Sequence, residues 1–502
     1  MLIDPNSVLD FEVIFGIVAP LGTDLDAVCT ALSDHLGMYS YESETIRLSQ
    51  LFSESEGRES TESYSERMDA GDAFRKQANS GDAVAALAIG KLLALRGETR
   101  DHRKAWILRT LKHDEEIDLM RAIFGARFVL IGVHQAKHLR IQQLRDRLKG
   151  SSTKNLESEI STLVERDEMD DTSEFGQRVR ETYSKADYFL DLNRNVRDEV
   201  ARLLGLVFGQ PFLTPTRDEV GMAHAHTASL RSSDAGRQVG AVITSQEGDI
   251  LCVGTNEVPK FGGGEYWSGD DPDDRDFVKG TDFNRREMMR VLGEIIDVLA
   301  AEGHLNEDLI AASGDARLSS VWQASRRSLK STRMMSLIEF GRIVHAEMSA
   351  LMFAARSNVN VQGATLYTTA FPCHMCTRLI VSSGISRVVY VDPYPKSLAF
   401  DMFGDAITDD ARIKNRVHMD SFNGASWSIY HRLFEAHNRK KDDFGSFIEQ
   451  PKPGSRFLLA EDDPLKRSSV LENEVVLALR SRTGVTDAPG TLGSNTPSKK
   501  EK

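Results

Sequence analysis

Short apolar runs alternate with segments of helical periodicity along the first two hundred residues. Short apolar, β-rich runs predict strands at residues 11–18, 105–108, 127–133 and 186–190. Helical patterns lie between them, at residues 25–32, 72–96 and 197–208, with a charged helical excursion at 137–185. Strands that alternate with helices imply a parallel sheet. We therefore expect an α/β domain with a parallel sheet in residues 1–210.

The second half of the chain has a different order of elements. A helical pattern from 218 to 232 precedes two apolar runs, 236–244 and 250–256, that are typical of a hairpin. Further on, a helix, a strand at 366–369, a second helix and a strand at 388–391 complete the order α-β-β-α-β-α-β. The irregular, proline-containing residues 209–216 predict a boundary before this domain.

We expect the second domain to span residues 215–440, with two insertions within 261–340. Residues 261–285 are rich in glycine and aspartate, and residues 286–340 have a largely helical pattern. The acidic run could hold a cation such as Mg²⁺ with a nucleotide triphosphate, or it could be an exposed loop. Residues 441–502 form a C-terminal extension, which we expect to be disordered from about residue 482. The Ser/Glu-rich residues 53–60 predict a solvated loop.

Composition narrows the class of protein. The chain has 502 residues and a net charge of −13, which disfavours a protein that coats nucleic-acid duplexes through a basic face. Two of its four cysteines have the spacing of metal ligands, which argues against a disulfide framework and for a reducing compartment. Neither a signal peptide nor a membrane span is predicted. We therefore expect a cytoplasmic protein with no membrane partner.

Two short segments carry the chemistry. His345 and Glu347 stand two residues apart, and Cys373 and Cys376 have the spacing C-x-x-C. One imidazole and two thiolates suit Zn²⁺ with an open fourth position for water. Glu347 could carry protons for that water if both His345 and Glu347 lie in the first turn of a helix that meets the site end-on. We also predict Cys373 at a helix N-terminus, where the helix dipole favours a thiolate.

Two other interpretations compete with a catalytic zinc. A structural zinc would need a fourth ligand, for which His374 and Cys252 are candidates. However, His374 should point away from the other ligands, and Cys252 lies in an apolar strand. A redox C-x-x-C pair is the second competitor, but it would not require the histidine and glutamate.

The N-terminal strand ends in a segment that resembles a degenerate phosphate-binding loop. Gly16 and Gly22 are one residue too far apart for the G-x-x-x-x-G-K-[ST] motif, and Thr23 occupies the lysine position. Phosphoryl transfer is therefore not expected, although backbone amides near Gly16, Gly22 and Thr23 could hold a nucleotide. The order of elements resembles a P-loop nucleotide kinase at the level of the fold, with residues 137–185 at the place of its lid.

The zinc motifs and the hairpin resemble the deoxycytidylate deaminase family of the cytidine deaminase superfamily. H-x-E followed by P-C-x-x-C is the signature of zinc nucleobase deaminases. The segments that match are residues 236–243, 255–259, 345–347 and 372–376. The resemblance implies a three-layer α/β/α domain that oligomerises with copies of itself and binds one zinc per chain. It also implies substrate contacts from Asn256 and Ala346.

The fusion of a P-loop-like domain to this deaminase resembles the bacterial anti-phage dCTP deaminases. That resemblance implies hydrolytic deamination of dCTP or dCMP, with His345, Cys373 and Cys376 as zinc ligands and Glu347 as the catalytic proton carrier. Lys396 could meet a substrate phosphate, or it could be an ordinary surface lysine. Asn256 could likewise be a turn residue without contact to substrate.

Two functions remain open from the sequence. The first is deamination of a free deoxycytidine nucleotide, which the acidic net charge favours. The second is editing of DNA or RNA, which would require a basic groove with aromatic residues. In either case the N-terminal domain could be a sensor whose partner, a nucleotide or an RNA, controls the deaminase.

Overall fold

A computed structural model describes residues 12–51, 63–96, 103–148, 156–168, 176–330, 332–392, 397–435, 441–448, 451–453, 455, 457–459 and 464–484. The mixed α/β architecture predicted from the sequence is confirmed, and it is built on two sheets with mainly parallel strands.

The first sheet is formed by the N-terminal part of the chain. Its five parallel strands are β1 (Val13–Val18), β2 (Glu42–Arg47), β3 (Lys104–Arg109), β4 (Phe128–His134) and β5 (Tyr188–Asp191). They are arranged in the order β2-β3-β1-β4-β5. The four strands predicted from the apolar runs are confirmed. β2 was missed because Glu42–Arg47 alternates charged and small residues rather than apolar ones.

The helices of this part connect the parallel strands. They are α1 (Asp26–Met38), α2 (Tyr64–Ala78), α3 (Ala83–Arg96), α4 (Asp114–Phe124), α5 (Lys137–Leu148), α6 (Leu156–Glu168), α7 (Val179–Ser184) and α8 (Val196–Val207). The single helix predicted for residues 72–96 is wrong. The helix is interrupted at Asn79, which adopts a left-handed conformation with φ of 50° and ends α2.

The second sheet carries the chemistry. The hairpin strands are β6 (Gly240–Thr244) and β7 (Ile250–Thr255), and they are followed by β8 (Thr365–Thr368), β9 (Arg387–Tyr390), β10 (Ile407–Thr408) and β11 (Val417–Ser421). Their order is β10-β11-β9-β8-β6-β7. The helices that pack on this sheet are α9 (Arg217–Ser229), α14 (Ala346–Ser357), α15 (His374–Ser382) and α16 (Ala399–Phe403).

Alternate residues of β6 face two different hydrophobic cores. Val242 packs on the side of α9, together with Met222 and Ala225. Ala241 and Ile243 pack on the other side, in the core that contains α14 and α15. Because helices cover both faces of the sheet, the predicted three-layer α/β/α arrangement is confirmed, as is the predicted order of elements.

The insertion and the C-terminal segment add helices. The insertion holds α10 (Asp276–Lys279), α11 (Phe283–Ala301), α12 (Glu307–Ala311) and α13 (Gly314–Lys330). The C-terminal part holds the short strand β12 (Gly424–Ala425), α17 (Tyr430–Phe434) and α18 (Pro464–Thr483), and α18 packs against α3. Residues 485–502, most of the segment predicted to be disordered, lie outside the described residues, as do residues 53–60.

Among the described residues, no single helix is both long and apolar enough to cross a membrane. α2 and α3 together meet the criterion of length and composition, but they are bent by 93° at their break.

Candidate active site

Two helix N-termini converge beneath the second sheet. His345 is the residue immediately before α14, and Cys373 is the residue immediately before α15. The predicted positions of His345 and Glu347 at the start of one helix, and of Cys373 at the start of another, agree with these helix boundaries. The side chain of His345 makes no capping hydrogen bond to its own helix, so it is available to the site.

The three predicted zinc ligands lie close together. The Nδ1 atom of His345 is 3.3 Å from the Sγ atoms of both Cys373 and Cys376. One ligand atom from each of the three residues lies within 4.8 Å of the other two. One borderline nitrogen and two soft sulfurs are the donors that zinc prefers, and three protein ligands are typical of a catalytic site. The arrangement therefore fits a zinc ion.

Glu347 lies directly beside these residues and is buried, with an exposed fraction of 3%. Its Oε2 is 3.4 Å from Sγ of Cys376, and its Oε1 accepts a hydrogen bond from the Thr368 hydroxyl at 3.3 Å. Burial raises the pKa of Glu347 above its usual value, so this carboxyl group takes up a proton more readily than an exposed one. Such a group suits proton transfer near neutral pH.

The two thiols have opposite electrostatic environments. A hydrogen bond from Cys376, together with the hydrogen bond and charge of His345, outweighs the effect of burial and lowers the pKa of Cys373 to about 4. The same contact and burial raise the pKa of Cys376. Cys373 is therefore already held as a thiolate, the form that binds metal.

The other candidate ligands lie elsewhere. Cys252 lies within β7 and is buried in the apolar core, as predicted for a core residue. The Nε2 atom of His374 is 3.7 Å from a carboxylate oxygen of Glu339, and His374 does not belong to the cluster of ligand atoms.

Asn256 has the contacts of a structural residue. Its side-chain amide donates to the carboxylate of Asp234 at 3.0 Å and to the carbonyl of Arg237 at 2.8 Å. Its side-chain carbonyl accepts from the amide of Val239 at 2.7 Å. These bonds fasten the entry of β6 to the end of β7 and engage both ends of the side chain. A contact of Asn256 with substrate remains a prediction.

The remaining predicted site residues fall in three places. Ala346 is the first residue of α14 and is completely buried between the helix and the hairpin. Lys396 lies outside the described residues. Gly16 lies within β1, whereas Gly22 and Thr23 lie in the loop that follows it, where the Thr23 hydroxyl donates to the carbonyl of Pro20 at 2.7 Å.

Three residues near the site were not predicted as functional. Thr368 ends β8 and contacts Glu347. Asp392 is buried just beyond β9 and accepts a 2.9 Å hydrogen bond from Arg180 of α7. Arg237 is 3.9 Å from the same carboxylate oxygen. Arg237 belongs to a segment that resembles the deaminases and Thr368 lies in a predicted strand, whereas nothing in the sequence points to Arg180.

The acidic part of the insertion is neutralised by its own neighbours. Asp270 pairs with Lys260 at 2.7 Å, and Asp274 pairs with Lys279 at 2.8 Å. Asp273 holds Arg275 through several hydrogen bonds. Because these aspartates are paired with lysine and arginine side chains, the contacts do not support the predicted Mg²⁺ site in the acidic insertion.

Known proteins resemble the part of the chain that holds this site. The family model of the cytidine and deoxycytidylate deaminase zinc-binding region matches residues 215–392. Deoxycytidylate deaminase of Enterobacteria phage T2 is 44% identical over 54 residues, which is 11% of this chain and 29% of the phage enzyme. Human (Homo sapiens) deoxycytidylate deaminase is 24% identical over 194 residues, which is 37% of this chain and 75% of that enzyme.

Among solved structures, the crystal structure of dCMP deaminase from the cyanophage S-TIM5 in complex with dCMP and dUMP is 19% identical. It covers 42% of this chain and 98% of that chain, with a TM-score of 0.23. The chain spans only about a third of the length of the first curated relatives, namely 29%, 28% and 35%. The match to the family model of the cytidine and deoxycytidylate deaminase zinc-binding region is confined to residues 215–392, the part that holds the candidate site.

Proposed function

We propose that the protein hydrolytically deaminates free deoxycytidine nucleotides, converting dCTP to dUTP and dCMP to dUMP. The observation that carries this proposal is the position of the buried Glu347 carboxylate next to a cluster of one imidazole and two thiols. The resemblance of residues 215–392 to deoxycytidylate deaminases supports nucleotides as the substrate class.

His345, Cys373 and Cys376 would hold one zinc ion per chain. When bound, zinc supplies Lewis acidity, which lowers the pKa of a coordinated water toward neutrality. In the reaction water adds to C4 of the pyrimidine, the bond from C4 to the exocyclic nitrogen breaks, and ammonia leaves.

Glu347 performs the proton transfers in this proposal. Its carboxylate takes a proton from the attacking water and delivers it to N3 of the base. It then takes the proton of the new hydroxyl on C4 and passes it to the departing amine, which leaves as ammonia while the C4 carbonyl forms. Burial raises the pKa of Glu347, so the carboxylate accepts a proton more readily than an exposed glutamate, which favours this shuttling. The Thr368 hydroxyl fixes the orientation of the carboxyl group through its bond to Oε1.

The broader biological role extends the proposal. The two-part layout resembles the bacterial anti-phage dCTP deaminases, so we propose that the protein depletes dCTP during infection. In this proposal the N-terminal part is regulatory, with a nucleotide or an RNA as its partner, and the protein is a homo-oligomer. Plaque counts and dCTP pools in cells that express the wild type or Glu347→Gln would test the defence role.

The first experiment measures ammonia release by the purified protein from dCTP, dCMP, cytidine and single-stranded DNA. We expect release from dCTP or dCMP. Glu347→Gln should lower the rate by roughly 10²–10⁴-fold or more, because one carboxyl group carries every proton, while zinc content measured by mass spectrometry stays unchanged.

Glu339→Gln is the matched control, because Glu339 lies near the site beside His374 but outside the ligand cluster. It should retain the wild-type rate. Release from single-stranded DNA alone would overturn the proposal in favour of an editing enzyme. Equal rates for the wild type and Glu347→Gln would overturn the role of Glu347.

A further inference from the structure

The segment between α9 and β6, residues 230–239, runs beside the candidate active site. Arg237 of this segment lies close enough to Glu347 for the two charges to interact, and Asp234 lies similarly close to His345. The side chain of Arg237 has an exposed fraction of 46%, so its guanidinium can be reached from solvent. The segment therefore places one accessible cation next to the carboxyl group that carries the protons.

Hydrogen bonds fix the backbone of this segment on both sides of Arg237. Both carboxylate oxygens of Asp234 are engaged, one by the amide of Gly236 at 2.7 Å and the other by the side chain of Asn256 at 3.0 Å. The carbonyl of Arg237 accepts from Asn256 at 2.8 Å, and the amide of Val239 donates to Asn256 at 2.7 Å. The segment is thereby held in place at the edge of the site.

The guanidinium of Arg237 differs from these neighbours, because it makes no hydrogen bond to any residue that the structure describes. The carboxylate oxygen of Asp392 with which it pairs is 3.9 Å away, which is too far for a hydrogen bond. That same oxygen already accepts a 2.9 Å hydrogen bond from Arg180 of the N-terminal part. With respect to the described residues, the five N–H donors of Arg237 remain available to a ligand.

The charge of Arg237 is only partly compensated by its surroundings. Partial burial and the charge of Arg180 lower the pKa of Arg237, and the charges of Asp392 and Glu347 oppose this without cancelling it. A bound anion would stabilise the charged guanidinium. The chain has a net charge of −13, so an anionic substrate is attracted to the site only if a cation lies there.

We propose that Arg237 binds the phosphate group of the nucleotide substrate and thereby makes the enzyme selective for nucleotides over the free nucleoside. A guanidinium presents paired donors that match phosphate oxygens, and such charge-assisted hydrogen bonds are roughly twice as strong as neutral ones. Arg180 assists by occupying Asp392, which leaves Arg237 without a hydrogen-bonded carboxylate. This inference rests on the proposed deamination of nucleotides and adds the residue that recognises the phosphate.

The test is isothermal titration of the full-length Glu347→Gln protein with dCMP and with deoxycytidine, since loss of the proton carrier should keep both compounds from being consumed. We expect dCMP to bind more tightly than deoxycytidine. Adding Arg237→Ala should weaken the binding of dCMP by about tenfold or more, because hydrogen bonds to a charged group are lost, and should leave deoxycytidine binding unchanged. Arg237→Lys should recover part of the dCMP affinity, since lysine keeps the charge without the paired donors.

Steady-state kinetics with otherwise wild-type protein give a second measurement. Arg237→Ala should raise KM for dCMP by about tenfold or more with little change in kcat, because the phosphate contact is the same in the bound substrate and in the transition state. A residue that only supports the fold would instead lower kcat and zinc content for every substrate.

The matched control is Arg217→Ala, which removes a guanidinium from the start of α9. Arg217 donates to the carbonyl of Glu247 at 2.8 Å, in the hairpin turn at the opposite end of β6 from Arg237. It should bind dCMP like the parent protein. The proposal is overturned if dCMP binds no more tightly than deoxycytidine, or if Arg237→Ala weakens the binding of both compounds equally. Failure of the proposed function would look different, since the wild type would then release no ammonia although dCMP still binds through Arg237.

Discussion

At the scale of single residues, Asp218 shows how one carboxylate ties the second sheet together. It accepts hydrogen bonds from Arg387 at 2.7 and 2.9 Å and from the Tyr367 hydroxyl at 2.9 Å. Burial raises the pKa of Asp218, but the bonds from Arg387 outweigh it, so the net pKa lies below the usual value. Its stabilisation is therefore present above about pH 4, the pKa of an unfolded aspartate, and is lost as pH falls below it.

We expect Asp218→Asn to lower the free energy of unfolding by about 1–3 kcal/mol at pH 7, since it weakens the charged hydrogen bonds to Arg387, which is partly buried. The difference from the wild type should shrink as the pH falls through 4. Urea unfolding followed by tryptophan fluorescence at several pH values measures both effects. Asp410→Asn is the control, because Asp410 makes similar bonds to Arg412 at an exposed position and should change little. A loss that is equal at pH 7 and at pH 3.5 would contradict the assignment.

The sequence identified the residues of the metal cluster because its two segments are short and local. His345 and Glu347 are two residues apart, and Cys373 and Cys376 are three apart, so their chemistry is visible without a fold. Thr368 and Asp392 were missed because their roles depend on contacts across 21 residues, to Glu347, and across 212 residues, to Arg180. Contacts of that range are set by packing, which residue spacing does not reveal.

At the scale of elements, two glycines allow helices to lie directly against the second sheet. A β-carbon on Gly254 of β7 would lie 2.2 Å from the carbonyl oxygen of Ala346 and 2.4 Å from the amide of Ala350 in α14. A β-carbon on Gly240 of β6 would lie 1.9 Å from the carbonyl oxygen of Ala225 in α9. The close approach at Gly254 sets the distance between α14 and the hairpin. It therefore also sets the positions of His345 and Glu347 at the start of α14.

We expect Gly254→Ala to displace the start of α14, because the contacts leave no room for a methyl group and overpacking costs about 1–3 kcal/mol. Zinc content and ammonia release should both fall, by about tenfold or more in rate. Gly293→Ala is the control: this glycine lies within α11, its new methyl group would approach Leu318 at an ordinary 3.5 Å, and alanine favours a helix. Full zinc loading of Gly254→Ala would contradict the role of this close contact.

Element types were predictable where apolar periodicity was strong, as for β1, β3, β4 and the hairpin. The break between α2 and α3 was missed because alanines lie on both sides of Asn79, although Asn79, Ser80 and Gly81 are residues typical of turns. β2 was also missed, because it joins the sheet through backbone hydrogen bonds to β3 and has few apolar side chains that would mark it as a strand.

At the scale of the whole molecule, the two sheets share one hydrophobic core. Phe189 of β5 packs against Phe422 with ring centroids 5.6 Å apart, and a single buried cluster includes residues of both sheets. β12 extends the first sheet by pairing antiparallel with β5, although it follows the strands of the second sheet in the chain. Arg96 of α3 also pairs with Glu472 of α18. A sequence pattern predicts two sheets, but it does not show that the chain returns to the first one.

One ion pair connects the N-terminal part directly with the surroundings of the deaminase site. Arg180 of α7 donates to Asp392 at 2.9 Å, and Glu168 at the end of α6 lies 3.8 Å from the same guanidinium. Asp392 in turn lies 3.9 Å from Arg237. Burial and the charge of Arg180 lower the pKa of Arg237, and the opposing charges of Asp392 and Glu347 offset this only in part.

We expect Arg180→Ala to lower kcat/KM for the deoxycytidine nucleotide by about tenfold, the effect of losing a charged hydrogen bond. Without Arg180, we expect the carboxylate of Asp392 to attract Arg237 from its present distance of 3.9 Å and so to shift Arg237 from its position near the candidate site. Zinc content should not change, and Arg180→Lys should restore part of the rate because it keeps the charge. Steady-state kinetics with metal analysis measures this, with Arg178→Ala as the control next to α7. Equal losses in the two alanine variants, or a loss accompanied by release of zinc, would show that Arg180 supports the fold rather than the position of Arg237.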